Sequence, residues 1–136
     1  MEIINLLIGV IIYILIKENF PFHWFHRKLD LKGVSDFEKT FGIQEDISGD
    51  ILYFIEMEYK GSKYYKVGIT RNSINERYST KERKHFTRIL YNKRIKNTLY
   101  IEQKILRVFK DDLFPLHILK SGYTEIFDKN ILNITD

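Results

Sequence analysis

The apolar positions of this 136-residue chain fall into distinct regimes along its length. Residues 3–16, IINLLIGVIIYILI, are apolar except for Asn5 and carry no charge, so they show no polar face at either the helical or the strand period. Residues 29–48 scatter single hydrophobics among charges and two glycines, which reads as a linker with one short helix over residues 35–41. Residues 51–57 (ILYFIEM) and 64–69 (YYKVGI) are rich in β-branched and aromatic side chains, and Gly61 and Ser62 between them are turn material. The two runs predict an antiparallel hairpin. Ser73 and Glu76 have capping-box spacing and mark a helix start, with Arg77 in its first turn. Residues 86–91 (FTRILY) predict a third strand, and residues 98–110 (TLYIEQKILRVFK) a helix whose apolar stripe is Leu99, Ile105, Leu106 and Phe109. A closing strand is expected over residues 122–127. The expected fold is α+β, a small domain over residues 49–136 with a three-stranded, mainly antiparallel sheet flanked by helices. A separate N-terminal hydrophobic helix (residues 1–20) and a linker or juxtamembrane segment (residues 21–48) precede it.

The fourteen-residue apolar run is short for a bilayer span, which takes roughly 20 residues. It reads as a single-pass anchor, or alternatively as a buried docking helix of a soluble protein or oligomer. A cleaved signal peptide fits poorly, because Glu2 precedes the run and Lys17 and Glu18 follow it without a small-residue cleavage site. Phe20, Phe22, Trp24 and Phe25 come next, interleaved with His23 and His26 and closed by Arg27 and Lys28, the composition of an interfacial belt with a positive flank. That flank orients a spanning helix with the C-terminal domain in the cytoplasm. The expectation is therefore a membrane-associated chain, with a soluble cytoplasmic protein as the alternative. Asn5, Gly9 and Tyr13, four residues apart, share one helix face on which two copies could pair as a homodimer.

Composition changes this picture in two ways. The chain has no cysteine, which removes disulfides, thiolate metal sites and cysteine nucleophiles together. Its formal charge of +4 is unevenly spread: residues 1–48 hold five Lys/Arg against seven Asp/Glu, whereas residues 77–110 hold eleven against two. A basic stretch of that density is the electrostatic footprint of a nucleic-acid binder, and equally what a solvated basic surface looks like. Within it, Glu82 and Glu102 are the two acids.

Five short motifs in order carry a more specific signal: ILY (Ile51, Leu52, Tyr53), KVG (Lys66, Val67, Gly68) within YYKVGIT, Arg77 on the following helix, EQKILRVF opening at Glu102, and YTEIF at residues 123–127. Over residues 50–127 the chain resembles the GIY-YIG nuclease superfamily, in particular the branch of phages and large viruses with a KIG-like second motif and a TEWF-like close. Two positions depart from the pattern. Ile51 stands where the first motif has Gly, and Lys66 where the second has Tyr.

The resemblance implies a metal-dependent endonuclease hydrolysing DNA phosphodiester bonds. Tyr53, Lys66 and Arg77 would be catalytic, and Glu102 would hold Mg²⁺ or Mn²⁺. Beside these, the basic residues Arg71, Lys84, His85 and Arg88 are candidates for nucleic-acid contact, with a solvated turn residue the preferred reading of His85; Glu125 is expected to be structural, and Asn130 could orient a ligand. Water would be activated near Tyr53 and Lys66, with Lys66 lowering the phenol's pKa and Glu102 staying ionised in its basic surroundings. Tyr53 and Lys66 share a face only if cross-strand partners sum to an odd number, for example 53 with 68 and 55 with 66. Tyr64, Tyr78, Tyr91 and Tyr100 are expected as core or groove aromatics. The alternatives are a catalytically inactive nucleic-acid-binding module on a nuclease scaffold, and a membrane-associated partner-binding protein.

Overall fold

A computed structural model describes residues 29–135. Its elements are α1 (Val34–Phe41), β1 (Ile51–Tyr59), β2 (Ser62–Thr70), α2 (Ile74–Arg77), α3 (Thr80–Arg83), β3 (Phe86–Arg94), α4 (Thr98–Val108) and β4 (Ile126–Phe127), with a 3₁₀ turn at Lys110–Asp112. The fold is α+β, and its sheet is antiparallel throughout, in the order β3-β1-β2-β4. The sheet has four strands rather than the expected three, because Ile126 and Phe127 add to the edge of β2 opposite Lys66 and Tyr65. Only these two residues of the strand expected over residues 122–127 pair.

The hairpin of β1 and β2 closes through Lys60 (φ 52°) and Gly61 (φ 80°). Two left-handed central residues match the right-handed twist of the flanking strands, which is why a two-residue loop suffices here. Seven consecutive residues of β1, Ile51 to Met57, are buried. Such a run means that both faces of the central strand are covered. On one face Ile51, Tyr53, Ile55 and Met57 pack with Ile74, Tyr78, Leu116, Leu119 and Ile126. On the other, Phe54 stacks on Tyr65, and Tyr91, its cross-strand partner on β3, meets the edge of Phe37 from α1.

Residues 31–48 were expected as part of the linker. From Leu31 the chain instead belongs to the same compact unit as the hairpin, with Leu31, Phe37 and Phe41 buried. The physical reason is the Phe37/Phe41 pair, four residues apart on one helix face, which removes two large rings from water only by docking. The apolar run at residues 3–16, the aromatic belt and the Asn5/Gly9/Tyr13 face lie outside the described residues. Among the described residues, no helix is long and apolar enough to cross a membrane.

The segment after β2 forms two single helical turns, not one helix. Ser73 caps the first, its Oγ accepting from the Glu76 N–H at 3.2 Å. The full reciprocal capping box falls on the second, between Ser79 and Glu82. Helix α4 buries Thr98, Ile101, Glu102 and Ile105. Leu99, expected in its apolar stripe, is 60% exposed. The helix turns its 98/101/105 row inward, and Glu102 lies in that row.

Candidate functional site

The pairing of β1 with β2 sets the site. Tyr53 lies opposite Gly68 and Ile55 opposite Lys66, so Tyr53 and Lys66 project from the same face. Gly68 leaves the space that the Tyr53 ring fills, and a Cβ there would overlap the phenol oxygen. The glycine of the KVG motif is thus needed for close approach, whatever its φ.

Lys66 is 1% exposed. Its Nζ donates to the Val67 carbonyl at 2.7 Å and to Glu125 Oε2 at 2.6 Å. Gly122, in a left-handed turn at φ 73°, lies against the same amine and leads the chain back to Glu125. Burial lowers the pKa of Lys66, and Glu125 and Glu102 partly offset that shift.

Arg77 ends the one-turn helix α2, and its guanidinium lies 5.4 Å from the centre of the Tyr78 ring. Among the described residues it makes no ion pair, so an exposed cation is available for an anion. Tyr78 is buried, and its hydroxyl is 2.6 Å from that of Tyr53. Burial and the neighbouring Tyr78 push the Tyr53 phenol far above its ordinary value of 10, against a smaller lowering by Arg77. The expectation of a lowered phenol pKa is therefore corrected, because burial and the Tyr78 hydroxyl outweigh the cationic field at Tyr53. Burial likewise pushes Tyr78 up to about 12.

Glu102 is 4% exposed. Its Oε1 accepts from Gln103 Nε2 at 3.4 Å, and among the described residues Oε2 accepts nothing. Burial and the field of Glu125 raise its pKa, while Lys66 and Arg77 offset part of the rise. The expectation of a readily ionised carboxylate is corrected to one that holds its proton more tightly than an ordinary glutamate. Among the described residues, no group of three or more His, Asp or Glu side chains forms a metal-binding cluster. One carboxylate with a free oxygen still suits Mg²⁺, which completes its shell with waters and phosphate oxygens.

The nucleic-acid residues expected from sequence are not gathered here. Arg71 lies just past β2, exposed and 3.6 Å from Asp50. Lys84 is exposed at the end of α3. His85 packs its ring at 5.7 Å against Tyr59, six residues along β1 from Tyr53 and so about 20 Å away along the strand. Arg88 lies on the opposite sheet face, where it binds Glu56 at 2.8 Å and donates to the Thr135 carbonyl at 2.8 Å. Arg88 and Thr87 hold the buried Glu56 carboxyl down at about 2. Asn130 is committed to the backbone of Ile134, through both its amide nitrogen and its oxygen.

Four elements thus bring Arg77 and Glu102 within electrostatic reach of each other and of both Tyr53 and Lys66. Two further members, Tyr78 and Glu125, were read from sequence as core and structural residues. The signal for Tyr78 was its place immediately after Arg77, and for Glu125 its place in YTEIF. No protein-family model, curated protein or solved structure matches the chain.

Proposed function

We propose that this chain is a metal-dependent endonuclease of the GIY-YIG type that hydrolyses DNA phosphodiester bonds. The observation that carries the reading is the convergence of Tyr53, Lys66, Arg77 and Glu102 on one side of the hairpin, two of them charged groups buried at 1% and 4% exposure. Structural economy alone does not favour burying an ammonium and a carboxylate in a small domain, because each has a large desolvation penalty. Perturbed ionisable groups cluster preferentially at functional sites.

In this reading the exposed guanidinium of Arg77 holds the scissile phosphate in a bidentate fork and offsets the charge that develops on it. Tyr53 stays protonated and donates its hydrogen bond. The Lys66 ammonium, held by Glu125 and the Val67 carbonyl, adds positive charge beside the site, and the attacking water gives its proton to solvent as the O–P bond forms. The P–O bond to the leaving sugar oxygen breaks, and that oxygen takes a proton from solvent. Glu102 would hold Mg²⁺ or Mn²⁺, which when bound would supply Lewis-acid stabilisation of the phosphate.

The test is supercoiled plasmid incubated with the full chain. Nicking is expected with Mg²⁺, lost in EDTA and restored by Mg²⁺ or Mn²⁺. DNA retention without nicking in Mg²⁺ would instead assign a non-catalytic binding module. The apolar run at residues 3–16 and the basic flank of its aromatic belt extend the proposal to a membrane-anchored enzyme with a cytoplasmic domain, able to pair through the Asn5/Gly9/Tyr13 face. Recovery of the full chain in the soluble rather than the membrane fraction would remove that extension.

A further inference from the structure

The phenol of Tyr53 has one side-chain partner among the described residues, the hydroxyl of Tyr78 at 2.6 Å. Tyr78 comes from a different element and 25 residues further along the chain, and nothing in the motif pattern calls for a phenol there. It is held from three sides. Its ring meets Phe86 edge-on at 5.0 Å and Tyr53 edge-on at 6.1 Å, and the Arg77 guanidinium lies over it at 5.4 Å. Its backbone is fixed too, since the Tyr78 N–H donates to the Ile74 carbonyl at 3.2 Å and the Arg77 N–H to the Ser73 carbonyl at 3.1 Å.

One capped turn therefore sends two consecutive side chains to different tasks. Arg77 points outward as an exposed cation, while Tyr78 turns inward to the phenol of Tyr53. Tyr53 is in turn confined by Gly68 beneath its ring. A buried phenol must find a hydrogen-bond partner, and these two find each other.

We infer that Tyr78 is a positioning residue of the proposed nuclease site: its hydroxyl fixes the Tyr53 hydroxyl toward the reacting phosphate and couples that orientation to the turn presenting Arg77. The inference rests on the nuclease reading. Both phenols act as one unit, so the loss of either hydroxyl removes the same oriented donor.

The experiment is a double-mutant cycle in plasmid nicking with the full chain: wild type, Tyr53→Phe, Tyr78→Phe and the double variant, each with its melting temperature. Phenylalanine keeps both rings in the core. Tyr78→Phe is expected to lower kcat by about tenfold with KM within about twofold, and to add little in the Tyr53→Phe background. A purely structural role would show as a lowered melting temperature with kcat unchanged. Wild-type kcat in Tyr78→Phe overturns the inference, as do losses that multiply in the double variant. No nicking by wild type is a different result: it overturns the nuclease reading, and this inference with it.

Discussion

Glu102→Gln is expected to abolish Mg²⁺-dependent nicking and, in the same protein, to raise the melting temperature at neutral pH. The two effects have one cause. Burial raises the pKa of Glu102 above its ordinary 4.5, so the folded chain binds a proton there more readily than the unfolded chain does. Stability therefore falls as pH rises from 4.5 through the raised value, and the deficit persists at pH 7. An uncharged amide of the same shape removes that deficit, together with the carboxylate that would hold the metal.

Arg77→Ala separates the two effects. Its guanidinium is exposed and makes no ion pair among the described residues, so the melting temperature should hold, while nicking falls by about 10²- to 10³-fold through lost stabilisation of phosphate charge. Scanning calorimetry of both variants across pH 4 to 8 beside plasmid assays checks the pair. A Glu102→Gln protein that melts below wild type at pH 7 would show that this carboxylate is a structural group, and one that still nicks in Mg²⁺ would remove it from the site.

What was legible in the sequence follows from the range of each interaction. The hairpin, β3 and α4 were readable because their patterns are local: β-branched runs around a Gly-containing turn, and a helical stripe. The seven-residue buried run of β1 was not readable as a two-sided strand, because burial on the second face depends on α1, which arrives from residues that look like linker. Leu99 and Glu102 exchange the environments that hydrophobicity assigns them, since the inward face of α4 is chosen by the sheet and not by its own composition.

At the site, Tyr53, Lys66, Arg77 and Glu102 were named from motifs, and their common face followed from a register that one hairpin pairing decides. Their partners were invisible for a different reason. Tyr78 reaches Tyr53 across 25 residues and Glu125 reaches Lys66 across 59, and no short-range pattern encodes a contact of that span. The protonation behaviour expected for Tyr53 and Glu102 failed with it, because charge counts along a chain say nothing about desolvation.

Glu125→Ala should destabilise the fold by about 3 kcal/mol at pH 7, the lower end of what breaking a buried ion pair costs, since the Glu125 side chain keeps 28% of its exposure while Lys66 keeps 2%. The loss comes from Lys66, whose ammonium would remain enclosed with only the Val67 carbonyl as a partner. Two companion measurements separate this cause from simple loss of packing. The deficit should shrink as pH rises toward 10, because a buried amine with a depressed pKa escapes its penalty by deprotonating, whereas a packing defect is indifferent to pH. The double variant Lys66→Met/Glu125→Leu should recover to within about 1 kcal/mol of wild type, since apolar side chains of similar volume need neither hydration nor a partner. If the double variant regains stability but not nicking, the pair is retained for chemistry at the expense of stability. A double variant no more stable than Glu125→Ala would place the loss in the turn at Gly122, whose backbone carries Glu125 onto β2 through the Val67 N–H at 3.3 Å.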